Sequence, residues 1–171
     1  MLLSDLITGI TRVYEAAGIQ VTEPIPEAEG SEYGACRFKL EKSSVVFRVA
    51  KTTPTKRGHF VTMWKRLEPG SSIRPFDVDD TIDFLVIAVS DTTHSGQFVF
   101  DKKILIEKGL MSSKDKIGKL AFRLYAPWSN PIAKAAIKTQ QWQLPYFFSM
   151  SSKGIAEPHQ IRKLFNLQFN F

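Results

Sequence analysis

The run Gly34-Ala-Cys-Arg-Phe-Lys-Leu-Glu-Lys-Ser-Ser-Val-Val-Phe-Arg-Val-Ala-Lys51, resumed after a turn-rich link as His59-Phe-Val-Thr-Met-Trp-Lys-Arg66, decides the fold class. Cys36, Phe38 and Leu40 alternate with Arg37 and Lys39. Val45, Phe47 and Val49 share a face with Lys51, while Val46, Arg48 and Ala50 take the other. Phe60, Thr62 and Trp64 alternate with Val61, Met63 and Lys65. A period of two in β-branched and aromatic residues predicts strands over 34–41, 44–51 and 59–66, with antiparallel pairing as the simplest connection. Residues 52–58, Thr-Thr-Pro-Thr-Lys-Arg-Gly, read as a loop between the second and third.

Outward from this centre the pattern mixes helices with strands. Upstream, Leu6, Ile7, Ile10, Val13, Tyr14 and Ala17 recur at helical spacing, which predicts a helix over 4–17 with Ser4 as N-cap and Gly18 as C-cap. Residues 21–33, with two prolines and four glutamates, form an acidic connector. Downstream, the nearly unbroken apolar stretch 81–90 predicts a central strand covered on both faces. Strands follow at 97–100 and 120–125, with a short helix from Asp101 to Lys108 between them. Asn130-Pro131 reads as a helix start, with a helix over 130–148 that Pro145 ends or kinks. The tail, carrying Phe165, Phe169 and Phe171, is expected to pack back on the body. The expectation is one domain over 1–171, of mixed α/β, α+β-like class: an N-terminal helix, a β-rich core over 34–126 with a mixed sheet flanked by helices, and a C-terminal helix and tail.

Composition narrows the class of function. In 171 residues, 43% are hydrophobic and 23% charged, which excludes wholesale disorder. The longest apolar run, Phe84–Val89, is too short to cross a bilayer, and the first residues show no basic, apolar leader. One cysteine, Cys36, fits a reducing compartment, so a cytoplasmic protein with no membrane partner is expected. The net charge of +6 is unevenly placed: residues 37–67 hold nine cations against Glu41 alone, and residues 68–93 hold six acids against Arg74 alone. Gathered on one face, the basic block would present a positive field suited to phosphates. Solvated, edge-protecting lysines are the plainer alternative.

Standard catalytic patterns are missing: no phosphate-binding Gly-rich loop ending in Lys-Ser/Thr, no Gly-x-Ser-x-Gly and no His-Glu-x-x-His. His59, His94 and His159 stand apart from one another, Cys36 falls on an apolar strand face, and Asp77, Asp79, Asp80 and Asp83 suit a turn better than a cation site. No catalytic residue, metal site or cofactor is expected. The stretch Lys51–Gly58 concentrates hydroxyls and cations of the kind that phosphate oxygens accept from. The candidate nucleic-acid contacts are therefore Arg48, Lys51, Thr53, Thr55, Lys56, Arg57, Trp64, Lys65 and Arg66. DNA is favoured over RNA as partner.

As a whole, Ala50-Lys-Thr-Thr-Pro-Thr-Lys-Arg-Gly-His-Phe-Val-Thr-Met-Trp-Lys-Arg66 resembles the signature of the MepB family of bacterial proteins. Gly96–Phe100, Arg123–Trp128 and Lys138–Gln143 resemble the same family in order and spacing, with Ala126 and Asp101 standing where prolines are usual. The resemblance implies a restriction-endonuclease-like core, whose nuclease members place an acid on one strand and Asp/Glu-x-Lys on the next to hold Mg²⁺. Here the corresponding stretch is Val49-Ala50-Lys51, with valine in the acid's place, and residues 34–40 hold no carboxylate. Binding without cutting is the expectation. A Mg²⁺-dependent nuclease with carboxylates drawn from Glu15, Glu41 or Asp83, and a protein-interaction module, are the alternatives.

Overall fold

The computed structural model describes residues 3–151 and 154–167, with side chains from Thr8 onward. In chain order the elements are α1 (Leu3–Ala16), β1 (Ile25–Pro26), β2 (Cys36–Leu40), β3 (Ser43–Val49), β4 (Lys51–Thr53), β5 (Lys56–Thr62), β6 (Trp64–Lys65) and β7 (Arg74–Pro75). They continue with β8 (Phe84–Ser90), β9 (Ser95–Asp101), α2 (Lys102–Glu107), β10 (Ala121–Leu124), α3 (Lys134–Gln143), β11 (Phe147–Ser149) and α4 (Pro158–Leu164). Six strands form the main sheet in the order β1-β2-β3-β8-β9-β11; β10-β5-β4 form a second sheet, and β6-β7 a short ribbon. The pair β3·β8 is parallel and the other main-sheet pairs are antiparallel. A parallel pair needs a long crossover, and the chain between β3 and β8 supplies it as the β4–β5 hairpin and the ribbon. The class is α+β, a mixed sheet flanked by helices, as the patterning predicts.

The alternation read from the sequence becomes two cores on the two faces of the main sheet. Phe38, Val45, Phe47, Val86 and Val99 face α1 and α4, where Ile10, Tyr14, Ile161 and Phe165 close one layer. Val46, Leu85, Ile87, Phe98 and Phe100 face the second sheet and helices α2 and α3, with Val61, Leu105 and Leu124. Strand β8 is buried along Phe84–Val89, as its apolar run predicts. Tyr14 ties the first layer to the sheet by donating its hydroxyl to Gln97 Oε1. Phe165 packs edge-on against Tyr14 and Phe84, so this part of the tail does return to the body. Leu6, Ile7, Phe169 and Phe171 lie outside the residues whose side chains are described.

Several boundaries differ from the pattern reading. Residues 52–58 are not a loop: β4 and β5 form a hairpin around Pro54-Thr55, with a register shift between Thr52 and Thr53. Gly58 makes that irregularity possible. Its φ is +85°, and a Cβ there would lie 2.7 Å from the Leu124 carbonyl oxygen. The stretch 44–51 divides at Ala50 between two sheets, and 59–66 divides at Met63. Helix α1 already includes Ser4, while Gly18 at φ +74° sits beyond the helix end as predicted. Asn130 does not cap α3. The helix begins at Lys134 after Ala133, which offers no side-chain cap, and it ends at Gln143. Pro145, lacking an N–H, opens a 3-10 turn, and Phe147–Ser149 then pair with β9 where a helix was predicted. Asp101, at its proline-replacing position, N-caps α2 by accepting from the Ile104 N–H at 2.8 Å. Among the described residues, no helix is long and apolar enough to cross a membrane.

Candidate nucleic-acid interface

The structure separates the basic block into cations that carboxylates neutralise and cations that they do not. The acidic connector folds onto much of the block. Glu27 takes Arg37 at 2.6 Å and Arg48 at 3.3 Å, Glu29 takes Arg66 at 2.9 Å, and Glu32 takes Lys51 at 3.2 Å. Arg48 is 2% exposed, its guanidinium also donating to the Phe47 carbonyl and lying 5.9 Å from the Phe76 ring. Burial drags its pKa below the ordinary value, opposed by the Glu27 carboxylate. Lys51 Nζ lies 4.6 Å from the Tyr33 ring centre.

The ribbon carries a second neutralised group. Lys65 Nζ donates to Asp77 at 2.7 Å and Asp80 at 2.8 Å. Partial desolvation disfavours its charge, but the two carboxylates outweigh this and raise its pKa. Those aspartates are also tied within their turn: Asp77 accepts the Asp79 N–H, and Asp80 accepts the Asp77 N–H. Trp64 is capped by the Arg66 guanidinium at 5.4 Å, so one face is already occupied.

At the tip of the β4–β5 hairpin, beyond Lys51, the situation reverses. Thr55, Lys56 and Arg57 are exposed. Arg57 donates to the Asn130 carbonyl at 2.8 Å. Beside it on β10, Arg123 donates to Thr53 Oγ1 at 2.9 Å and to the Arg57 carbonyl at 3.3 Å, and lies 5.7 Å from the Phe60 ring. Both guanidinium groups are therefore held in place by neutral oxygens, with no carboxylate paired to either among the described residues. A cleft of about 230 Å³ runs between Lys56, Arg57, Arg123 and the start of α3. A neighbouring cleft of about 290 Å³ adds Lys108 and Lys119. The two adjoin at Arg123 and Tyr125, which line both, and the lining of this trough among the described residues holds five cations and no carboxylate. Three other clefts each include a carboxylate: Glu15 with Glu41, Asp77 with Asp115, and Asp101.

Helix α3 lines the trough and is tied to the end of β10. Gln143 Oε1 accepts the Tyr125 N–H at 2.9 Å while its amide donates to the Arg123 carbonyl at 2.9 Å, and Gln140 donates to the Ala126 carbonyl at 3.0 Å. Of the nine residues singled out in the sequence, the structure brings Lys51, Thr53, Thr55, Lys56 and Arg57 onto one hairpin. It sets Trp64, Lys65 and Arg66 around the ribbon and buries Arg48 in the main sheet. Sequence reasoning missed Arg123, Tyr125, Lys108 and Lys119. Two of them fall in Arg123–Trp128, a family-resembling segment, and this was the signal available.

Other reactive groups are quieter. Cys36 is buried and its thiol is pushed up to about 12 by desolvation, with Arg48 opposing. His59 is buried, its Nδ1 without a hydrogen-bond partner among the described residues, and edge-on to Trp128, whose ring His94 stacks on at 5.0 Å. Desolvation pushes the Asp91 carboxyl up, but the His94 side chain and the Thr93 and His94 amides outweigh it and bring it down to about 2. Among the described residues, no three His, Cys, Asp or Glu side chains converge to hold a metal ion. Val49 ends β3, and the carboxylate against Lys51 is Glu32, from the 3-10 turn Ser31–Tyr33.

The MepB-like family model matches residues 27–149. A solved structure, described as the crystal structure of MepB, superposes with a TM-score of 0.74 at 33% identity, covering 88% of this chain and 98% of that chain. A bacterial homing endonuclease aligns with a TM-score of 0.47 at 15% identity, covering 81% of this chain and 87% of its own. No curated protein matches. The matched region holds the hairpin, the connector glutamates from Glu27 onward and α3, so the chain belongs to the MepB-like family.

Proposed function

We propose that this chain binds nucleic acid through the β4–β5 hairpin and the trough beside α3, contacting phosphates and cutting nothing. The observation that carries the reading is the trough: Lys56, Arg57, Lys108, Lys119 and Arg123 line it without a carboxylate, and the two arginines are oriented by neutral oxygens. Oriented, uncompensated guanidinium groups are the donors that phosphate oxygens accept best. The hydroxyl of Thr55 at the hairpin tip adds a neutral donor of the same kind. Arg48, Lys65 and Arg66 support the fold through their carboxylate partners. Binding without cleavage follows from Val49 standing where the resembling nucleases need an acid.

Salt titration tests this. If the five cations each meet one phosphate, log K falls with log salt at a slope of about −4.5 on duplex DNA and about −3.5 on a single strand. Replacing Lys56 and Arg57 together by alanine makes that slope shallower by between about 1 and 2. Salt-insensitive association, or an unchanged slope in the double variant, overturns the reading.

A further inference from the structure

The trough has an aromatic side chain between its cations, and the other large rings close to the cations are already engaged. Trp142 packs on Phe100 at 5.5 Å and has Lys108 Nζ at 5.6 Å from its ring centre. Phe60 lies against Tyr33 and the Arg123 guanidinium, Trp64 under Arg66, and Trp128 under His94. Tyr125 differs: it is half-buried, lines both clefts, and has no ring or cation stacked on it among the described residues. Its position is fixed on two sides. Gln143 holds its backbone from α3, and a Cβ on Gly58 would lie 2.8 Å from its ring, so the glycine lets the ring come close to the hairpin backbone. Ile132, 73% exposed, lies in the same cleft as Lys56, Arg57 and the ring, an apolar surface where a purely electrostatic phosphate site needs none.

We infer that Tyr125 stacks an unpaired nucleobase, and hence that the trough takes single-stranded nucleic acid with its phosphates on Arg57, Arg123 and the flanking lysines. This rests on the nucleic-acid reading above. A duplex keeps its base faces inside the stack and presents only phosphates and groove edges, so an aromatic ring between cations gains nothing from it. A single strand offers a π-face beside every phosphate. The clefts, about 230 and 290 Å³, are at or below the small end of ligand sites, the scale of a nucleotide and not of a double helix.

The experiment compares three fluorescently labelled probes by anisotropy at fixed salt: a twelve-residue deoxythymidine oligomer, its abasic counterpart with the same phosphates, and a twelve-base-pair duplex. The wild-type chain is expected to bind the thymidine oligomer about tenfold more tightly than the abasic one, within the range that stacking one base contributes. Tyr125→Leu removes that preference and leaves the salt slope unchanged. Tyr125→Phe, which keeps the π-face, restores it and guards against a folding defect. Equal affinity for the thymidine and abasic oligomers, each with a steep salt slope, overturns the stacking inference while phosphate binding stands. So does a Tyr125→Leu chain that keeps the preference. Failure of all three probes to bind overturns both.

Discussion

A charge taken out of water needs a partner, and Arg48 shows how this fold meets that requirement. Its guanidinium lies on the inner face of the main sheet at 2% exposure, with Glu27 and the Phe47 carbonyl as acceptors. Glu27 also serves Arg37, so the two ends of the pair are not equivalent. Removing the carboxylate strands a buried cation; removing the cation leaves Glu27 with Arg37. Glu27→Gln is therefore expected to lower stability by about 2–3 kcal/mol, below the 3–5 for a fully buried pair because Glu27 is partly exposed. Arg48→Met, which keeps the length of the side chain, should cost less than half of that. Urea unfolding of both variants measures the order, and the reverse order refutes this account. Arg48→Met should also leave the salt slope of nucleic-acid binding untouched. The sequence shows Arg48 on a strand face shared with Val46 and Ala50, yet charge alone does not say whether such an arginine is a ligand contact or a buried ion. That depends on Glu27, twenty-one residues away and on an element whose position the strand pattern does not reveal.

At the scale of elements, period-two alternation makes β2 and β3 legible, and an unbroken apolar run makes β8 legible, because each buries at least one face on a continuous core. Residues 52–58 of the β4–β5 hairpin read as a loop because this exposed, hydroxyl-rich stretch has no apolar face, and Gly58, at φ +85°, sits at the irregularity. The connector's glutamates are visible as charge, but their function emerges only when the connector lies along the basic block. Its outer pairs, Glu29–Arg66 and Glu32–Lys51, are substantially exposed, so each contributes at most about 1 kcal/mol to stability. Each nevertheless withholds a cation from an incoming phosphate. The double variant Glu29→Gln/Glu32→Gln is accordingly expected to melt within a few degrees of the wild type. It should bind duplex DNA more tightly at low salt, with a slope steeper by up to about 2. Anisotropy titrations at several salt concentrations decide; unchanged affinity would mean that Lys51 and Arg66 lie off the path of the ligand.

Across the whole molecule, several carboxylates are committed to structural tasks: Asp101 caps α2, Asp83 accepts the Ser44 N–H, Glu41 accepts the Gln20 N–H, and Asp77 and Asp80 tie a turn around Lys65. Metal-assisted hydrolysis needs acids that converge with a lysine on an open site beside the scissile phosphate. Here Lys51, the lysine in the position that the family resemblance marks, faces Glu32 on the connector, and the acid-free trough lies where the phosphates are expected. Glu41 and Asp83, two of the three acids named for a displaced nuclease site, are engaged by backbone amides. The arrangement favours holding a strand over breaking it. Supercoiled plasmid incubated with the protein and Mg²⁺ or Mn²⁺ is therefore expected to remain supercoiled while its gel mobility shifts in a salt-dependent way. Relaxed or linear product that disappears on Lys51→Ala would show that Lys51 and an acid such as Glu32 act together on the phosphodiester, and the binding-only reading would fall.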